Sequence, residues 1–202
     1  MDFCSLPEKV DYLQRINSEN PPFSWQETCE MDRAPMYVSY ICAREYNSFI
    51  VCADTNLHMF GVSPAIEADH QTADNKDLLQ LTYIQSKKVS SKSVTMCCLI
   101  NWDTVVTCSK EPVIYAHDLL GLDEPLTKYQ GHTMSVSTIE AHKTHLASGA
   151  RDFCTKVWDI ESMKCLFTHT KDRNLPTCIK WVNGETFLET SEDKTIRLFD
   201  IR

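Results

Sequence analysis

The sequence predicts an all-β fold made of about four copies of one antiparallel unit, and two observations predict it. Helical periodicity is weak after the first thirty residues. Short β-rich runs separated by turn residues take over there, among them Phe49-Ile50-Val51-Cys52, Thr104-Val105-Val106-Thr107 and Thr195-Ile196-Arg197-Leu198-Phe199. These runs also recur at a spacing near forty residues, which marks a repeat architecture. With 43% of its 202 residues hydrophobic, the chain has enough apolar side chain for a packed core.

Taken in order, residues 1–33 form an N-terminal segment. Leu6-Pro7-Glu8 with Val10, Leu13 and Ile16 predicts one short amphipathic helix, ended by Pro21-Pro22. The Leu-Pro start resembles that of an F-box, which implies an alternative role as substrate receptor of a ubiquitin ligase. Residues 23–30 are a candidate strand for completing the last repeat unit. The repeat region is expected over 34–202, with units at about 34–92, 93–130, 131–172 and 173–202. The first unit is the longest, and residues 63–92 carry the excess. Acidic Glu67, Asp69, Asp74 and Asp77 precede a strand-like Leu78 to Ile84 and a Ser/Lys-rich stretch. A solvated loop plus a fourth strand is the expectation there.

The repeat itself is clearest in the last two units. Residues 145–152 (His145 to Asp152) lead into Thr155-Lys156-Val157-Trp158-Asp159-Ile160. Forty-one residues later, Phe187 to Asp193 lead into Thr195-Ile196-Arg197-Leu198-Phe199-Asp200-Ile201. In both, a turn aspartate precedes an aromatic residue by six positions: Asp152 and Trp158, then Asp193 and Phe199. The same offset joins Glu111 to His117 and Asp54 to Phe60.

A period near forty that ends in Trp-Asp resembles the WD40 repeat of β-propellers, in which each unit is a four-stranded blade. Gly131-His132 stands in the Gly-His position of the third unit. The resemblance implies that His132, Ser148, Asp152 and Trp158 form a hydrogen-bonded tetrad within that blade. Such a set is physically coherent, because a buried imidazole, hydroxyl, carboxylate and indole N–H must satisfy one another. In the other units His132 aligns with Ser91 and Arg173, and Glu189 stands in place of Ser148. Those blades are expected to be held chiefly by packing. With about four repeats the propeller is expected to be either open, as a shortened form of a longer ring, or four-bladed. The order of words in Arg173-Asn174-Leu175, Cys178 to Val182 and Glu189 to Thr195 is similar to one animal member of the family, and implies a non-enzymatic, cilium-associated protein.

Chemistry is sparse. No GxGxxG, GxxxxGK[ST] or GxSxG run occurs. His142 and His145 make an HxxH without a third ligand nearby in sequence, so no metal site and no cofactor are expected. Ten cysteines without a CxxC read as free thiols, most of them buried, of a reducing, intracellular compartment, cytoplasmic in the first instance. Cys97 and Cys98 are adjacent and should face opposite sides of a strand. No basic and apolar leader and no membrane-length apolar run are recognised. A net charge of −8, from 20 basic and 28 acidic residues, argues against a nucleic-acid surface. The expected function is therefore a scaffold or adaptor that binds other proteins, with no small-molecule substrate. In the resembled family the residue just before the turn acid faces partners, which implies Lys110, Arg151 and Glu192 here.

Overall fold

A computed structural model describes residues 38–44, 48–64, 79–121 and 124–202. The expected N-terminal helix, the candidate strand 23–30 and the acidic stretch at 67–77 lie outside the described residues. Fifteen strands and no helix are found among the described residues. They are β1 (Val38–Arg44), β2 (Ser48–Ala53), β3 (Asn56–Pro64), β4 (Leu79–Lys88), β5 (Val94–Leu99), β6 (Thr104–Ser109), β7 (Ile114–Asp118), β8 (Thr127–Tyr129), β9 (Val136–His142), β10 (His145–Ala150), β11 (Cys154–Asp159), β12 (Cys165–Thr170), β13 (Pro176–Trp181), β14 (Thr186–Ser191) and β15 (Ile196–Asp200). Every pairing is antiparallel between neighbours in sequence, giving sheets β1–β4, β5–β8, β9–β12 and β13–β15. Strand β4 runs on to Lys88, so the Ser/Lys-rich stretch contributes its end instead of leaving the sheet at Ile84.

Alternation along the strands explains how the sheets stack. In β5, Cys97 faces one way into the core shared with β2 and β3, where it meets Ile50, Cys52, Leu57 and Met59. Its neighbour Cys98 faces the other way into a core with Ile139, Leu146 and Trp158. A third core joins Ala147 and Val157 to Ile179 and Phe187. Three apolar layers thus glue four sheets in series, as in propeller blades. The inner strands pack β1 on β5, β5 on β9 and β9 on β13; among the described residues β13 and β1 are not packed on each other in this way. The free face of the last sheet exposes Leu188, Ile196 and Leu198.

A backbone-directed ladder links the inner strands. The Thr95 hydroxyl donates to the Val136 carbonyl at 3.0 Å, and the Ser137 hydroxyl to the Pro176 carbonyl at 2.6 Å. The turn residues take part as well. The Asp54 carbonyl accepts the Val94 amide at 2.6 Å, and the Glu111 carbonyl accepts the Val136 amide at 3.1 Å. Gly149 sits where blades three and four approach most closely: a Cβ there would lie 2.3 Å from Cβ of Pro176.

Candidate functional site

Hairpin geometry sets the positions on which the site depends. In each blade the second residue of the second strand faces the aromatic position of the third: Phe49 pairs with Phe60, Val105 with His117, Leu146 with Trp158 and Phe187 with Phe199. In blade three, Trp158 is fully buried, and Gly131, at φ 153°, lies against its ring. The structure brings His132, Ser148, Asp152 and Trp158 together. The Trp158 indole N–H donates to Ser148 Oγ at 2.8 Å. Ser148 Oγ lies 2.8 Å from His132 Nε2, and His132 Nδ1 lies 3.0 Å from Asp152 Oδ2. Asp152 also accepts the amides of Thr133 and Cys154 at 2.9 and 3.1 Å.

The proton order follows from this geometry. The Asp152 carboxylate can only accept, so the proton of the neutral imidazole sits on Nδ1; Nε2 is then an acceptor, and the serine proton points to it. Burial holds the His132 pKa below its ordinary value against the pull of Asp152, which favours this neutral tautomer. For Asp152, burial acts upward, but the Thr133 amide and His132 together outweigh it and hold the carboxylate pKa low. The Ser–His–Asp order is that of a hydrolase relay. Ser148 has no exposed surface and its oxygen is occupied by the indole, so no substrate carbonyl reaches it.

Blades two and four, expected to be held chiefly by packing, also carry polar contacts of their own. In blade two the Ser91 hydroxyl donates to Glu111 Oε1, a shortened version of the His132–Asp152 contact with the longer acid reaching the shorter partner. His117 is buried in the aromatic position, and neither of its nitrogens makes a well-formed hydrogen bond. Burial and the charge of Lys87 push its pKa down to about 4. In blade one, Asp54 sits at φ 50° in a two-residue turn, and its carbonyl accepts the Val94 amide.

Blade four is held by charges that sequence reasoning missed. Fully buried Glu189 accepts from Arg197 at 3.3 Å and from the Thr155 hydroxyl of blade three. Arg197 also donates to Asn174 at 2.7 Å and to Asp193. The Thr195 hydroxyl and then Arg197 hold the Asp193 carboxyl down to about 2. Asn174, not Arg173, occupies the inward position: Arg173 takes φ 62° in the turn and is exposed. The readable signal was Glu189 and Arg197, opposite charges at directly paired positions on the face that carries Phe187 and Phe199.

Lys110, Arg151 and Glu192 occupy equivalent places on one rim. Their amides donate to Ser93, Ser135 and Leu175 carbonyls at 3.1, 2.9 and 3.0 Å, each the loop just before the inner strand of the same blade. All three side chains are exposed. Between blades two and three, Lys110 and Arg151 flank an open recess of about 450 Å³ floored by Thr95, Val136 and Ser137. Exposed Met134 and Phe153 stand on the loops beside Arg151. His142 and His145 pack on the Trp181 ring with centroids 6.2 and 6.1 Å away, and no group of three metal-ligating side chains occurs among the described residues. No helix among them is long and apolar enough to cross a membrane.

Comparison with known proteins agrees with this geometry. Residues 123–159 match the family model described as WD domain, G-beta repeat. The chain is 32% identical over 117 residues to nuclear distribution protein PAC1 of Komagataella phaffii, covering 48% of this chain and 23% of that protein. It is 29% identical over 102 residues to the U3 small nucleolar RNA-associated protein 15 homolog of Gallus gallus, covering 48% and 19%. It therefore spans about a quarter or less of the length of these relatives. In fold it is similar to the computationally designed Ika4 protein, with a TM-score of 0.68, 18% identity and coverage of 89% of this chain and 100% of that one. It is also similar to the WD40 beta propeller domain of Doa1, with a TM-score of 0.67, 15% identity and coverage of 82% and 51%. One repeat, residues 123–159, thus matches the WD40 family model, and the blade topology is that of a WD40 β-propeller.

Proposed function

We propose that this chain is a non-enzymatic scaffold that holds other proteins on the rim carrying Lys110, Arg151 and Glu192. WD40 repeat proteins generally mediate protein–protein interactions, and the equivalence of the three rim amides is the observation that carries the reading to these residues. Repetition of one backbone bond in three blades lines up three charged side chains that make no ion pair among the described residues. Two cations followed by an anion, on a chain of net charge −8, suit a protein surface better than a phosphate backbone. Sealing of the Ser148 relay supports the non-enzymatic part.

The words at 173–195 that resemble the animal WD repeat-containing protein numbered thirty-one add a setting to the proposal, cilium assembly or ciliary trafficking from the cytoplasm. The alternative, a ubiquitin-ligase substrate receptor, rests on residues 1–33, outside the described residues. Affinity purification of the tagged full chain, quantified against a Lys110→Glu, Arg151→Glu, Glu192→Lys variant, tests the scaffold. A set of proteins lost with the rim charges is expected. A set unchanged by the rim and lost on deletion of residues 1–33 overturns it in favour of the alternative.

A further inference from the structure

The recess between blades two and three has a chemistry of its own. Lys110 and Arg151 are its two cations, and among the described residues neither side chain is engaged in an ion pair. Each is followed in sequence by an acid, and each acid has a partner in its own blade. Asp152 binds buried His132 and the Thr133 and Cys154 amides, while half-buried Glu111 accepts from Ser91 at the surface. Neither carboxylate is paired with Lys110 or Arg151 among the described residues. Thr95, Lys110 and Arg151 line the recess over fully buried Val136, and half-buried Ser135 lines it as well. Met134 is 51% and Phe153 40% exposed on the loops flanking Arg151, large apolar surface placed beside a cation.

We infer that this recess takes an extended acidic peptide segment of a partner protein, with its carboxylates on Lys110 and Arg151 and an adjoining apolar side chain against Met134 and Phe153. The inference rests on the scaffold reading and names the class of partner. A peptide fits better than a nucleic acid for two reasons. Only two cations are available, and Glu192 stands at the next equivalent rim position, where a phosphate chain continuing along the rim would be repelled. A peptide carrying a basic residue beyond its acidic pair is accommodated by Glu192 instead, so the rim reads a charge order and not merely a charge.

The test is fluorescence polarisation of the full chain with a short fluorescein-labelled peptide of alternating Glu and Leu. Its Gln-for-Glu counterpart and a single-stranded RNA of similar length are the comparison probes. Saturable binding of the Glu peptide is expected, weakened at least about tenfold by Lys110→Glu/Arg151→Glu and by raising salt from about 50 to about 300 mM. Met134→Ser/Phe153→Ser should also weaken it, whereas Glu192→Lys should leave it as tight or tighter. Equal binding of the Gln peptide, RNA binding as tight as the Glu peptide, no saturable binding, or indifference to the Lys110/Arg151 reversal would each overturn the inference. If the rim variant still loses captured proteins while the peptide fails to bind, only this inference falls. If both fail, the scaffold reading falls with it.

Discussion

Ser148→Ala probes the whole polar network of blade three with the loss of one oxygen. That oxygen accepts from Trp158 Nε1 and serves His132 Nε2, both at 2.8 Å, and Ser148 and Trp158 have at most 1% exposure. Alanine leaves an indole donor and an imidazole acceptor unpaired where water does not reach. Each such orphan costs about 1–3 kcal/mol, so the loss should be about 2–6 kcal/mol. In a domain of this size about 1 kcal/mol moves the melting temperature by roughly 2–4 °C, which puts the expected fall at about 4–24 °C. Calorimetric melts at neutral pH read it directly. A double-mutant cycle with Trp158→Phe checks the cause, because removing the indole N–H first leaves only one orphan for Ser148→Ala to create. A fall under about 1 kcal/mol, or fully additive losses in the cycle, would refute the account of the tetrad as an interlocked set.

Three further outcomes are expected. His117→Phe should raise stability and flatten its pH dependence. With the folded-state pKa at about 4 against 6.5 unfolded, stability is complete above pH 6.5 and is lost as pH falls toward 4, by about 3 kcal/mol in all; urea melts at pH 7 and pH 4.5 that show the same slope in both proteins would contradict this. Arg197→Leu alone should cost about 3–5 kcal/mol by stranding buried Glu189, whereas Arg197→Leu with Glu189→Leu should recover most of it; a double variant as unstable as the single one would show that the charges are not what destabilises it. Gly149→Ala should lower the melting temperature by several degrees through its clash with Pro176, and a melt within a degree of the parent would show that the two blades have room to part.

Much of this was legible in the sequence because the residues concerned make demands that only one arrangement meets. The resemblance to the WD40 repeat implied the grouping of Trp158, Ser148, His132 and Asp152, whose donors and acceptors are complementary, and Cys97 and Cys98 must diverge on a pleated strand. What was not legible depended on a single-residue shift. A spacing of 41 aligns His132 with Arg173, but Arg173 adopts a left-handed turn conformation, and the inward side chain is the next one, Asn174. Once that register slips, Glu189 looks like a defect in a hydroxyl position instead of the acceptor shared by Arg197 and Thr155. Ser91 and Glu111 were hidden for a similar reason. Each departs from the commoner residue, and only their joint change in length, one shorter and one longer, restores the contact.

The ladder between inner strands has a consequence for how such a chain tolerates drift. Its donors are the small hydroxyls of Thr95 and Ser137, but its acceptors are main-chain carbonyls of Val136 and Pro176. A carbonyl is present whatever side chain a mutation installs, so this bond of the joint, unlike the apolar layer and the Gly149–Pro176 contact beside it, asks nothing of its neighbour's side chain. Pro176 can therefore stand where Val94 and Val136 stand, at the start of an inner strand. Mutation is left free to rewrite each blade's interior, as a tetrad in one, a Ser–Glu pair in another and an Arg–Glu network in a third. The hydroxyl-to-carbonyl bond survives even at Pro176, which lacks the amide that Val94 and Val136 donate to the preceding turn.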